Sequence, residues 1–110
     1  MSNLFERLAA GQMGLGVWLK GGPSWVSTIA RAGFDFVRPD MMFSGIDWRE
    51  LDHINRTAQA VGISTWVRVP ANPWLGDADS LQVTVDVQRA FSLGIPFVGA
   101  SIASFKQARA

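Results

Sequence analysis

The chain has 110 residues, of which 48% are hydrophobic and 17% charged, and its formal net charge is +1. This length accommodates at most one domain, and the composition is that of a soluble globular protein. The ten Lys and Arg residues are scattered along the chain, so neither nucleic acid nor a membrane is predicted as a partner. The lack of cysteine excludes disulfides and thiolate metal sites. No signal peptide and no apolar run of about 18 residues is present, so a cytoplasmic protein is expected.

Helices and strands alternate along the predicted chain. In order, they are a helix at 4–10, a strand at 15–19, a helix at 24–32, a strand at 34–39, a helix at 47–60, a strand at 63–69, a helix at 81–92 and a strand at 95–99. Gly33, Gly62 and Gly94 each end a helix and lie about thirty residues apart, which is the length of one strand–helix unit. Such units produce parallel strands.

The helices have apolar stripes that we expect to be buried. The stripes are Val26, Ile29 and Ala30 in the helix at 24–32, Leu51, Ile54 and Ala58 in the helix at 47–60, and Leu81, Val85 and Gln88 in the helix at 81–92. Three side chains are predicted to cap these helices: Ser24, Asp47 with Glu50 three residues later, and Ser80.

Four strands fit two architectures. One is a small open α/β sheet, and the other is half of a (β/α)₈ barrel, which has eight strands in about 250 residues. A final helix of six residues from Ser104 is too short to cover a sheet face, which favours the half barrel. We therefore predict an α/β fold, a half TIM barrel that residues 1–110 form as one unit.

Polar residues stand at the carboxyl ends of two strands, where ligands bind in α/β folds. Asp40 and Arg68 are therefore the candidate catalytic residues, with Arg68 binding a substrate carboxylate and Asp40 holding a water or a neighbouring group. Their alternatives are a turn aspartate and a surface arginine. Trp18 is a candidate pocket wall, whereas Trp25, Trp48 and Trp66 are predicted to pack. His53 is interpreted as a solvated helix residue, and no metal-binding pattern is present.

The order of three motifs resembles the HpcH/HpaI-type aldolases of the phosphoenolpyruvate/pyruvate TIM-barrel superfamily. The motifs are LGVWL at 15–19, AGFDFV at 32–37 followed by Asp40, and VRVP at 67–70 followed by Asn72. The resemblance covers nearly the whole chain but only the first half of that family's barrel.

The resemblance implies a metal-dependent lyase that cleaves or forms 4-hydroxy-2-oxoacids through a pyruvate enolate. Arg68 matches the arginine that binds the pyruvate carboxylate and keto oxygen, Asp40 the aspartate of the family's Asp-Gly-Glu-His loop, and Trp18 an aromatic pocket residue. Phe43 replaces the histidine of that loop. A divalent metal (Mg, Mn or Co) is expected for the family, but its Glu and Asp ligands come from later strands, so none is assigned in this chain.

Two hypotheses about function follow. The first is a carbon–carbon lyase that acts on a small oxoacid and is incomplete in this chain. The second is a non-catalytic half-barrel binding or assembly module that has lost the histidine. Because half a barrel has two open edges, we expect a homo-oligomer or a missing C-terminal half to cover them.

Overall fold

The structure, a computed structural model, describes residues 4–70 and 80–99. Its elements are α1 (Leu4–Ala9), β1 (Gly16–Leu19), α2 (Ser24–Arg31), β2 (Phe36–Pro39), α3 (Trp48–Ala60), β3 (Ser64–Arg68), α4 (Ser80–Ser92) and β4 (Phe97–Gly99). All eight predicted elements within these residues are confirmed, although each strand is shorter than predicted. The helix predicted from Ser104 and the Asn72 that follows the third motif lie outside the described residues. None of the helices that the structure describes could cross a membrane.

The four strands are parallel and form one sheet in the order β1-β2-β3-β4. Each strand therefore pairs with the next one along the chain, as in a barrel wound in one direction. A doubly wound open sheet would reverse its strand order at a switch point. The predicted α/β fold with four parallel strands is confirmed.

One face of the sheet carries the hydrophobic core. Val37 of β2 and Val67 of β3 are fully buried there, against Val26 of α2 and Leu51 and Ile54 of α3. The alternation of side chains along a strand explains this choice, because residues i and i+2 point to the same face. We call this the helix face of the sheet.

The opposite face, which we call the inner face, carries a row of aromatic rings. Phe36, Trp66 and Phe97 occupy neighbouring strands, with ring centroids 5.4 Å and 5.3 Å apart. Gly16 is paired with Phe36 on β1, and a Cβ atom at Gly16 would lie only 2.1 Å from the phenyl ring. The glycine thus makes room for the ring.

Proline interrupts the hydrogen-bonding ladder just before the candidate site. Val37 pairs with Thr65, and pairing of β2 with β3 resumes only at Asp40 and Arg68. Pro39 lies in this gap and has no N–H to donate to β3. The ladder then closes with Met41, whose N–H donates to the carbonyl oxygen of Arg68 at 3.0 Å.

The predicted helix caps have different outcomes. The Oδ1 of Asp47 accepts a hydrogen bond from the N–H of Glu50 at 2.8 Å, which confirms it as the cap of α3. The prediction for Ser24 is wrong. Pro23 is the N-cap of α2 and Ser24 is its first helical residue, with no side-chain capping bond. The proline φ of −59° already suits the start of a helix. The Ser80 side chain lies outside the described residues.

The buried stripe predicted for α4 is also wrong. Leu81 and Val85 are exposed, as is Gln88, whereas Val83 and Ala90 are buried. The apolar residues of this helix point to several sides, so their spacing does not indicate which face is buried. The contact with β4 determines the buried face. The stripes of α2 and α3 are confirmed, except that Ala30 is only half-buried.

Trp48 and Trp66 are partly buried, as expected for packing residues, but the same prediction for Trp25 is wrong. Trp25 is 58% exposed and lines a cleft of about 330 Å³ between β1 and α2. Its ring lies against Gly21, where an added Cβ would be 2.5 Å from the indole. His53 is exposed on α3, which confirms its interpretation as a solvated residue.

Candidate functional site

The candidate site lies where β2 and β3 end. Asp40 directly follows β2, Arg68 is the last residue of β3, and the two form a β-bridge. Trp18 of β1 is in register with Arg38 of β2, one strand further along the sheet. Because the strands are parallel, their carboxyl ends meet at one rim of the inner face. The predicted site residues Trp18, Asp40 and Arg68 are brought together there.

Asp40 and Arg68 form a bidentate ion pair. The Nε of Arg68 donates to Oδ1 of Asp40 at 3.0 Å, and its Nη2 donates to Oδ2 at 2.6 Å. The Asp40 side chain is 1% exposed and the Arg68 side chain 19% exposed. The N–H of Met42 adds a third hydrogen bond to Oδ1 at 2.9 Å. The carboxylate is therefore engaged by the protein, and of the two predicted alternatives, a water or a neighbouring group, it holds the neighbouring Arg68.

The ion pair shifts both pKa values away from neutrality. Burial raises the pKa of Asp40, but the hydrogen bond from Arg68 and the N–H of Met42 outweigh burial and leave the pKa below its usual value of 3.8. The hydrogen bond to Asp40 raises the pKa of Arg68, although burial opposes this change. Asp40 is therefore an anion and Arg68 a cation throughout the physiological range, and neither can exchange a proton with a substrate at neutral pH.

Two aromatic rings hold the guanidinium of Arg68. Its Cζ lies 5.0 Å from the centroid of Trp18 and 5.2 Å from that of Phe43. Cations at such distances are attracted by the ring quadrupole. Phe43, at the position where the resembled family has histidine, thus contacts the arginine directly. Because Phe43 carries no titratable group, it orients the cation and moves no proton.

Two cations at the same rim were missed by sequence reasoning. The Cζ of Arg38 lies 5.6 Å and the Nζ of Lys20 5.5 Å from the centroid of Trp18. Arg38 precedes Asp40 by two residues and Lys20 follows Trp18 by two. Period-two alternation was therefore the signal that could have placed both on the inner face.

The described residues do not fit a metal centre. Among residues 4–70 and 80–99, no group of three or more His, Asp or Glu side chains lies close enough together to hold a metal ion. The single carboxylate of the site is occupied by Arg68. The divalent metal expected from the family resemblance stays a prediction about residues outside this part of the chain.

The chain is similar to several solved structures. An HpcH/HpaI aldolase from Desulfitobacterium hafniense DCB-2 is 27% identical with a TM-score of 0.77, over 99% of this chain and 39% of that protein. An HpcH/HpaI aldolase/citrate lyase family protein from Burkholderia cenocepacia J2315 is 30% identical with a TM-score of 0.72, over 96% and 39%. The citrate synthase SbnG is 28% identical with a TM-score of 0.66, over 89% and 36%.

Neither a protein-family model nor a curated protein matches the chain. The structural similarity covers nearly all of this chain but only about two-fifths of each of those proteins, as a first part of their barrel would. It confirms the resemblance that the three motifs predicted. The chain is a structural relative of the HpcH/HpaI aldolase/citrate lyase family.

Proposed function

We propose that this chain supplies the oxoacid-binding part of a carbon–carbon lyase of the pyruvate-aldolase type. The observation that carries the proposal is the rim arginine, Arg68, which Asp40 holds by two hydrogen bonds and which two aromatic rings flank. The similarity of the chain to structures of the HpcH/HpaI aldolase and aldolase/citrate lyase family supports the same class of reaction.

Arg68 has a free donor edge for the substrate. Its Nε and Nη2 are bonded to Asp40, whereas Nη1 has no partner among the described residues. A planar carboxylate or an oxoacid oxygen can accept from this remaining edge. Asp40 acts as a positioning residue, because it fixes the plane of the guanidinium before the substrate arrives.

The geometry suits stabilisation of an enolate. In the cleavage of a 4-hydroxy-2-oxoacid, a base removes the proton of the 4-hydroxyl and the C3–C4 bond breaks. Its electron pair moves into the C2 carbonyl, which yields an aldehyde and the enolate of pyruvate, and C3 is then protonated. A fixed cation beside the C2 oxygen stabilises the negative charge that develops there. In this proposal Arg68 supplies that cation.

The acid and base of the reaction are not assigned to the described residues. Asp40 and Arg68 hold their charges at neutral pH, Phe43 cannot titrate, and His53 lies exposed on α3. These groups must come from outside the described residues if the protein is a lyase. The 4-hydroxy-2-oxoacid substrate and the divalent metal are likewise part of this proposal.

The test is aldol cleavage by the protein at its full natural length, with Mg²⁺, Mn²⁺ or Co²⁺ supplied. We expect Arg68→Ala to lower kcat/KM for 4-hydroxy-2-oxoacids by about 10² or more, because one preorganised charge is removed from the developing oxyanion. Arg68→Lys should recover only part of this loss, since an ammonium lacks the planar fork. Unchanged kcat/KM in Arg68→Ala would overturn the proposal.

A second candidate function is non-catalytic. The row of the partly buried rings Phe36, Trp66 and Phe97 on the inner face favours a half-barrel module that assembles with another polypeptide surface, since accessible apolar patches mark interfaces. Stable oligomers that bind oxoacids but show neither turnover nor metal uptake would support this candidate. Measurable aldol turnover would reject it.

A further inference from the structure

Three cations surround one tryptophan at the rim of the inner face. Lys20, Arg38 and Arg68 place their charged groups 5.5 Å, 5.6 Å and 5.0 Å from the centroid of Trp18. Because all three distances end at the same ring, the cations are at most about 11 Å apart, close to the screening length of roughly 8 Å at physiological ionic strength. Their charges are therefore not fully screened from one another.

Only one of these charges is neutralised within residues 4–70 and 80–99. Arg68 is paired with Asp40, whereas Lys20 and Arg38 form no ion pair with a carboxylate of the described chain. Like charges in such proximity repel, and burying or ordering them without a partner is unfavourable. An arrangement of this kind is stabilised when an anion binds.

The two unpaired cations come from β2 and from the residue after β1, whereas Arg68 ends β3. Arg38 is partly buried, and it lies on β2, between β1 with Trp18 and β3 with Arg68. Lys20 is exposed and follows the end of β1. A ligand bound to the free edge of Arg68 that also reaches the surroundings of Trp18 would approach both, because each charged group lies within 5.6 Å of that ring's centroid.

From this juxtaposition we infer that Lys20 and Arg38 are specificity-determining residues that select an oxoacid carrying a second anionic group. This inference rests on the proposed function, because it takes Arg68 as the site of the first carboxylate. The shared chemistry of the second group is an oxyanion, either a further carboxylate or a phosphate. Arg38 would bind it through its guanidinium fork and Lys20 as a point charge.

The test compares three ligands that share a carboxylate beside an sp² carbon. Pyruvate carries one anionic group, oxaloacetate carries a second carboxylate, and phosphoenolpyruvate carries a phosphate. Their dissociation constants are measured by titration calorimetry on the protein at its full natural length. We expect oxaloacetate or phosphoenolpyruvate to bind at least about tenfold more tightly than pyruvate, the amount that one hydrogen bond between charged groups provides. Which of the two binds more tightly identifies the second group.

The variants separate the inference from the proposed function. Lys20→Met and Arg38→Met should each reduce this preference while pyruvate affinity stays unchanged, and the double variant should abolish it. Arg38→Lys should retain part of the preference. Arg31→Met, which removes one positive charge from an exposed position in the last turn of α2, is the matched control and should keep it.

Each outcome has one meaning. If pyruvate binds and depends on Arg68, but no preference for a second anionic group exists or Lys20→Met and Arg38→Met leave it intact, the inference is wrong and the proposed function stands. If pyruvate binding does not depend on Arg68, the proposed function fails as well. Because Lys20 is exposed, a folding defect in an Arg38 variant would not prevent this decision.

Discussion

Replacing Asp40 by asparagine tests whether the rim arginine depends on its carboxylate. Asp40→Asn keeps the shape of the side chain but removes the negative charge of the carboxylate to which Arg68 donates two hydrogen bonds. Breaking a buried ion pair costs about 3–5 kcal/mol of stability. Arg68 retains 19% exposure and so recovers part of its hydration, which leads us to expect a loss of about 2–3 kcal/mol at pH 7.

The pKa shift of Asp40 also predicts how the effect of this substitution on stability changes with pH. The folded-state pKa of Asp40 is lowered, so the unfolded chain binds a proton more readily than the folded protein does. The stability contributed by the ion pair is therefore fully present above the ordinary pKa of 3.8 and is lost as the pH falls through the folded-state value. The difference in the free energy of unfolding between wild type and Asp40→Asn should be largest at neutral pH and should disappear in strong acid.

The assay is urea unfolding of the protein at its full natural length, followed by tryptophan fluorescence at pH 7, 5, 4 and 3. Asp52→Asn is the matched control, because it removes a carboxylate from the pair with Arg56, whose side chain is 76% exposed. That change should cost only about 0.3–0.5 kcal/mol. Equal effects of the two substitutions, or an Asp40→Asn effect that persists unchanged at pH 3, would refute the reasoning.

Three further changes probe the surroundings of the site. Gly16→Ala should destabilise the protein by about 1–3 kcal/mol, since its Cβ would lie 2.1 Å from the Phe36 ring, whereas the control Gly22→Ala should cost less because the nearest side-chain atom is 3.6 Å away. Thr65→Val should raise stability by about 1 kcal/mol in urea unfolding, because the fully buried Thr65 hydroxyl has no hydrogen-bond partner among the described residues. Phe43→His should raise aldol turnover if proton transfer limits the rate, and a pH–rate profile with a new pKa near 6.5 would identify the imidazole. A lower or unchanged turnover would show that proton transfer is not the limiting step.

The fold could be predicted because three local signals agreed. Gly33, Gly62 and Gly94 all adopt positive φ, which marks helix ends where glycine is favoured, and an apolar strand follows each of them. Which face of α4 is buried could not be predicted in this way. Its apolar residues lie on several sides, and only the packing of Val83 and Ala90 against the rest of the chain decides which are buried.

The site was predictable to the level of residue and rim, but not of contacts. A strand-end position identified Asp40 and Arg68, because parallel strands bring their carboxyl ends together. Their direct pairing depends on register, which the sequence does not state. The same limit applies to Phe43, whose ring reaches Arg68 only through the conformation of the loop after Asp40.

The central claim is that Arg68 binds the carboxylate of an oxoacid. Titration calorimetry of pyruvate with wild type, Arg68→Ala, Arg68→Lys and the surface control Arg31→Ala tests it most directly. The account predicts unchanged affinity in Arg31→Ala, partial loss in Arg68→Lys and a loss of about 2–5 kcal/mol of binding free energy in Arg68→Ala. Pyruvate binding of wild-type strength in Arg68→Ala would contradict it.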